Sequence, residues 1–141
     1  MRAETRARAR ALQALYAWDV RGAGHSGNAA LGRVADEIWD DLGVPRPVRD
    51  RSRVLIDTLV AHAAEIDTEL KDLTTNWRLE RLGAIERSVL RLGAAELWRG
   101  ETPVRVVMQE SVRLAERFGS EASARFVNGV LDALARRLGR L

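Results

Sequence analysis

Between Pro47 and Gly83 the chain contains neither glycine nor proline, and within that stretch Ile56, Leu59, Ala63, Ile66, Leu70 and Leu73 follow one another at alternating spacings of three and four. That period fits the turn of an α-helix and not the two-residue alternation of a strand. It predicts one long helix with an apolar stripe along its length, stable only if other helices cover the stripe. The cluster Thr74-Thr75-Asn76 is expected to break or bend it.

The rest of the chain has the pattern to supply that cover. An N-terminal helix is predicted from about Ala3 to Val20, with Leu12, Leu15, Tyr16 and Asp19 on one face. Gly22-Ala23-Gly24-His25-Ser26-Gly27 ends it, and Asn28 is expected to cap a second helix in which Leu31, Val34, Ala35, Ile38 and Leu42 repeat. Gly43, Pro45 and Pro47 close that one. Beyond the long helix, Ile85, Val89, Leu92 and Glu96 form a stripe on a helix from about Leu82 to Arg99, widened by Leu90, Gly93 and Leu97. Thr102 as cap and Pro103 in the first turn begin another, with Val104, Val107, Met108, Ser111, Ala115 and Phe118 inward and Gly119 stopping it in the left-handed conformation. Ser120 then caps a last helix, with Glu121 in its first turn, where Val127, Val130, Leu131, Leu134 and Leu138 repeat and Arg136, Arg137 and Arg140 complement the C-terminal dipole.

Strand alternation is almost absent. The expected fold is therefore all-α, with six to seven helices in a single domain spanning residues 1–141. Two three-helix bundles are expected, covering about 1–76 and 77–141 and dividing near Asn76.

Two positions conflict with a simple core. Glu96 falls in the middle of an apolar face, and burying a lone carboxylate costs several kcal/mol, so it is expected to accept hydrogen bonds from an arginine or from the free N–H groups of the next helix. Asn128-Gly129 interrupts the last helix, where glycine costs roughly 1 kcal/mol relative to alanine. Both are read as packing devices, Gly129 for a close helix approach and Asn128 for a polar partner.

Composition removes several function classes. Without cysteine there is no disulfide and no thiolate metal site, and the two histidines, His25 and His62, leave little for a metal to bind. No apolar run approaches the roughly 18 residues of a membrane span, and the Arg-rich start lacks the apolar segment of a signal peptide, so a soluble, cytoplasmic protein is expected. There is no glycine-rich phosphate loop after a strand, no nucleophile elbow and no triad spacing, which points away from an enzyme and from any cofactor. The pairs Asp36-Glu37 and Asp40-Asp41 read as a solvated helix face.

Charge is the remaining signal. Residues 1–10 carry four arginines and one glutamate, while the other residues carry equal numbers of basic and acidic side chains, so the net charge of +3 resides at one end. On a helix, Arg2, Arg6 and Arg10 lie four apart in one stripe that can track a phosphate backbone. Arg8 projects toward Leu12 and Leu15 and must overhang the core or snorkel. Such a run by itself also reads as a frayed, solvated end. Tyr16 beside it, and Arg125-Phe126 near the start of the last helix, add the arginine–aromatic pairing used for single-stranded RNA, although Phe126 as a core residue stays open.

Arg8-Ala9-Arg10-Ala11-Leu12-Gln13-Ala14-Leu15-Tyr16, then Ile85-Glu86-Arg87-Ser88-Val89-Leu90-Arg91-Leu92 with Glu96-Leu97, and then Phe126-Val127-Asn128-Gly129-Val130-Leu131-Asp132 together resemble the NusB family of transcription antitermination proteins. The similarity runs from the first helix to about Arg137 and is strongest after Leu82. The resemblance implies a non-enzymatic helical adaptor that binds boxA-type single-stranded RNA with the small-subunit ribosomal protein NusE, in the RNA polymerase complex that reads through terminators of rRNA operons. By position, it implies RNA contacts from Arg6, Arg8, Arg10, Arg125 and Phe126, and contacts with the ribosomal protein from Tyr16 and Glu86. Glu86 lies just off its apolar stripe, where a carboxylate can meet a partner's arginine. Glu4 and Thr5 dilute the basic run, Gln109 stands where asparagine is usual, and Ala122 replaces a commonly acidic position. Some rRNA cytosine methyltransferases carry a similar N-terminal domain, but no cofactor-binding βα pattern is present here and a stand-alone protein is expected. A purely protein-binding scaffold is the other alternative, and the helical surface leaves a homodimer open.

Overall fold

A computed structural model of the chain describes residues 2–22, 27, 29–74 and 82–140. Six helices occur among them: α1 (Ala3–Val20), α2 (Ala29–Leu42), α3 (Arg46–Leu73), α4 (Ala84–Arg99), α5 (Val104–Phe118) and α6 (Glu121–Arg137). They fall into two compact units, Met1–Ala63 and Ala64–Leu141. The division lies inside α3 rather than near Asn76, directly after a bend at His62, where φ −126° and ψ 16° leave the helical region. No glycine or proline marks that bend. Asn76 itself lies outside the described residues, as do His25 and Asn28.

The first unit is built around Trp39, which is fully buried. Its indole N–H donates to the Arg10 carbonyl at 3.2 Å, tying α2 to α1. Arg53 and Arg49 of α3 lie over its ring at 4.9 and 5.8 Å, close enough for a cation–π attraction. Both arginines also pair with Asp36, and Arg49 reaches Asp40 at 2.5 Å. The acidic pairs of α2 are thus more than a solvated face. Ser52 Oγ of α3 donates to the Ala7 carbonyl at 2.7 Å, closing the third side of the bundle.

Two stripes differ from their sequence pattern. In α1 the buried residues are Ala7, Arg8, Ala11, Leu12, Ala14, Leu15 and Trp18, while Tyr16 and Val20 face solvent. Trp18 supplies the bulk instead, and its N–H donates to the Gly27 carbonyl at 3.1 Å. In α2, Leu42 is exposed because it is the last residue of the helix and overhangs the core, and Trp39 takes the volume.

Burial pushes the Asp36 carboxyl up, but the hydrogen bonds and charges of Arg49 and Arg53 outweigh it and hold it below its ordinary value of 3.8. A depressed carboxylate contributes stability above its unfolded pKa and loses it as pH falls through the folded one. Acid unfolding monitored by circular dichroism should therefore begin at higher pH in Asp36→Asn than in the unaltered protein. Coincident acid limbs would show that the cluster adds nothing.

In the second unit α4, α5 and α6 pack on one another, with the C-terminal part of α3 alongside. Arg91 of α4 bonds both carboxylate oxygens of Asp67, at 3.0 and 3.1 Å, and Arg137 of α6 bonds Glu69 at 3.0 Å. Glu96 is buried among apolar residues and is engaged there in a polar interaction, as its position demands. The close helix approach occurs at Gly93, where an added Cβ would lie 2.7 Å from Leu131 Cδ1 and 2.9 Å from Ser111 Oγ. Gly129 does not serve that purpose: it is exposed, and nothing lies within 4 Å of a Cβ there. Asn128 is exposed as well.

Helix ends complete the frame. Gly100, at φ 71°, ends α4 in the left-handed conformation. Gly119 does not use that conformation to end α5, since its φ is −122°; it is small because a Cβ would meet the Ala115 carbonyl at 2.8 Å. Pro103, not Thr102, is the N-cap of α5, without a side-chain bond. Ser120 caps α6 as its position predicts, accepting from the Ser123 N–H at 3.1 Å.

Candidate nucleic-acid interface

The basic end of the chain is helical from Ala3 onward, so its arginines are held at defined angles around α1. Arg2 and Arg6 are exposed and have no side-chain partner among the described residues. Arg10, a turn further, is half-buried and donates to Gln13 Oε1 at 3.0 Å. Tyr16 and Val20 continue this outer face, 41% and 57% exposed. One side of α1 therefore grades from guanidinium groups to an aromatic and an aliphatic side chain, within a single rigid element.

Arg8 is not on that side. It is 6% exposed, on the buried face with Ala7, Ala11 and Leu12, and neither overhangs the core nor reaches the outer stripe. Its charge acts on Glu4, one turn earlier. Glu4 accepts from Arg51 of α3 at 2.6 Å. Its own main-chain N–H, the bond and charge of Arg51 and the charge of Arg8 hold its carboxyl below the ordinary 4.5. The only acid of the basic run is thus a tie between α1 and α3, and Arg51 is a cation that the sequence reading did not single out. Its signal was available in the arginine-rich start of α3, where Arg46, Arg49, Arg51 and Arg53 crowd one another.

In the second unit Glu86 stands in the first turn of α4, half-buried, and accepts from Ser123 Oγ of α6 at 2.5 Å. Gly83 leaves room for this carboxylate, because a Cβ there would collide with Glu86 Oε2. Glu86 therefore has an internal role as well as an accessible edge. Ser123 also bonds Ser120, so one short polar chain fixes the starts of α4 and α6 together. Arg125 is exposed, with no partner among the described residues, and Phe126 beside it is half-buried. The phenyl ring is neither wholly core nor wholly surface.

The outer face of α1 offers guanidinium groups and an exposed phenol, and in the other unit the start of α6 offers a guanidinium and a half-buried phenyl, with no group of three or more potential metal ligands among the described residues. Groups of these kinds can neutralise phosphates and stack bases. The model of the NusB family matches residues 5–136. The chain belongs to the NusB family.

Its relatives agree over nearly the full length. The transcription antitermination protein NusB of Anaeromyxobacter dehalogenans is 43% identical over 132 residues, covering 93% of this chain and 89% of its own. NusB of Sorangium cellulosum is 40% identical over 146 residues, covering 100% and 97%. Among solved structures, a chain in the crystal structure of antitermination factors NusB and NusE in complex with dsRNA superposes with a TM-score of 0.84 at 32% identity, covering 97% of this chain and 98% of that one. The solution structure of NusB from Aquifex aeolicus gives a TM-score of 0.80 at 33% identity, covering 96% and 89%. The fold is the helical NusB fold, and none of the described helices is long and apolar enough to cross a membrane.

Proposed function

We propose that this NusB-family chain is a non-enzymatic, cytoplasmic transcription antitermination factor that binds boxA-type single-stranded RNA together with ribosomal protein NusE, in the complex that keeps RNA polymerase processive on rRNA operons. The outer face of α1 carries this reading, because it joins Arg2 and Arg6, exposed and without a side-chain partner among the described residues, and Arg10 to an exposed tyrosine along one helix. Arg6 and Arg10, with Arg2, meet RNA phosphates; Tyr16 faces NusE. Arg125 and the half-buried Phe126 add a cation and an aromatic ring on α6, and Glu86 presents its accessible edge to NusE. Arg8 positions α1 from within rather than touching RNA. The relatives named as NusB match along 89% and 97% of their own lengths, which favours this reading over an accessory domain of a methyltransferase.

The test is titration of a boxA-type RNA over a salt series, with and without NusE, using single-stranded and hairpin forms. A steep salt dependence, tighter binding when NusE is present and preference for the single strand are expected. A flat salt response, or no gain from NusE, contradicts the adaptor; preference for the hairpin contradicts only the single-strand assignment. In the same assay Glu4→Gln should strengthen RNA binding by about threefold, since it removes the acid of the basic run and releases Arg51. Unchanged or weaker binding would mean that the Glu4–Arg51 tie orders the surface more than it masks charge.

A further inference from the structure

Gly83 and Gly119 stand just before α4 and α6, and neither has the positive φ that reserves a position for glycine. Space accounts for both. A Cβ at Gly83 would collide with Glu86 Oε2, and one at Gly119 would lie 2.9 Å from Ser123 Oγ as well as 2.8 Å from the Ala115 carbonyl oxygen. The two glycines thus leave room for two side chains that bond each other, Ser123 Oγ donating to Glu86 Oε1 at 2.5 Å.

That bond uses one carboxylate oxygen. Oε2 has no hydrogen-bond partner among the described residues, and solvent reaches it, since it is not one of their buried side-chain atoms without a partner. Ser123 is only 7% exposed, so little water competes for its hydroxyl. Its orientation is fixed from the other side as well, because Ser120 Oγ lies 3.1 Å from Ser123 Oγ and accepts from the Ser123 N–H. A free glutamate side chain loses several rotamers when a cation engages it, and that loss opposes binding. Here one oxygen is anchored before any partner arrives, and the other is left for the partner.

We propose that Ser123 is a positioning residue for the contact with the protein partner: it holds the Glu86 carboxylate so that Oε2 meets a basic side chain of that partner. Ser123 acts only through Glu86. This rests on the reading above that Glu86 faces NusE. A bond that merely stapled α6 to α4 would show itself in stability alone.

The experiment measures NusE binding, RNA binding without NusE and thermal unfolding for the full-length Ser123→Ala, Gly83→Ala, Glu86→Ala and Ser123→Ala/Glu86→Ala proteins. Ser123→Ala should bind NusE about fivefold more weakly, the effect of one hydrogen bond, with RNA affinity in the absence of NusE unchanged. Gly83→Ala pushes the same carboxylate off its place from the other side and should weaken NusE binding comparably. In the Glu86→Ala background the serine substitution should cost NusE binding nothing further, because the group it positions is gone. Thermal unfolding reads the staple separately: a fall of about 3 °C is expected for Ser123→Ala, and titration well below the transition keeps it out of the affinities. If Glu86→Ala weakens NusE binding while either Ser123→Ala or Gly83→Ala binds normally, the positioning role is overturned. Losses that add in the double variant, or an equal loss of RNA affinity in Ser123→Ala, overturn it too. If Glu86→Ala itself binds NusE as the unaltered protein does, the assignment of Glu86 to NusE fails and the inference falls with it.

Discussion

Alanine at both Arg6 and Arg10 is expected to weaken RNA binding by about ten- to a hundredfold at low salt, while α1 stays folded and NusE still binds. Each phosphate contact on a single strand contributes about 0.7 to the slope of log affinity against log salt, so losing two should lower the slope by about 1.4. The fold should tolerate the change, since Arg6 is exposed without a partner among the described residues and Arg10 gives up one bond to Gln13. Arg8→Ala should behave differently. Its guanidinium is buried at 6% exposure and its charge acts on Glu4, so removing it should cost about 2 kcal/mol of stability. Any loss of RNA binding in that variant should follow its unfolding curve and leave the salt slope of the folded fraction unchanged. RNA affinity unaltered in the Arg6/Arg10 variant would instead favour a scaffold that binds only proteins.

The contrast between Arg8 and its neighbours marks the boundary of what the chain reveals by spacing. Periodicity placed Arg2, Arg6 and Arg10 on one side of α1 and Arg8 on the other, and each of those azimuths holds. What it did not provide was depth. Arg8 is covered because α3 passes beside the first turns of α1, a long-range fact visible only in the Ser52–Ala7 and Arg51–Glu4 bonds. The same limit explains Tyr16 and Trp18. Both are large and aromatic, and the rotation that buries Trp18 leaves Tyr16 outside. Gly129 and Gly93 are a second case. A glycine inside an apolar helix suggests a close helix contact, but of these two only Gly93 packs internally, while Gly129 is exposed with nothing within 4 Å of a Cβ. The bend at His62 had no local signal, because no proline or glycine forces it. The three motif stretches and the Ser120 cap were legible because they depend on neighbours a few residues away, whereas Thr102 and Gly119 do not take the capping roles their residue types suggest.

Trp39→Ala should be the most damaging single substitution in the first unit. Truncating a fully buried tryptophan costs about 3–5 kcal/mol through lost burial and the cavity left behind. Here the indole does more than fill space. Its N–H satisfies the Arg10 carbonyl, and its ring supports Arg49 and Arg53, which in turn hold Asp36. Trp39→Phe separates these roles, since it keeps an aromatic face for the arginines but abandons the carbonyl, at about 1 kcal/mol for the hydrogen bond plus a smaller packing loss. Urea unfolding followed by far-ultraviolet circular dichroism should therefore rank the unaltered protein above Trp39→Phe and both well above Trp39→Ala. A domain is stable by only about 5–15 kcal/mol, so the alanine variant should also expose α1 and α2 amides to hydrogen exchange sooner than those of α5 and α6. If Trp39→Ala stays within about 1 kcal/mol of the unaltered protein, or if exchange rises equally in α6, Trp39 is not the post that fixes α1.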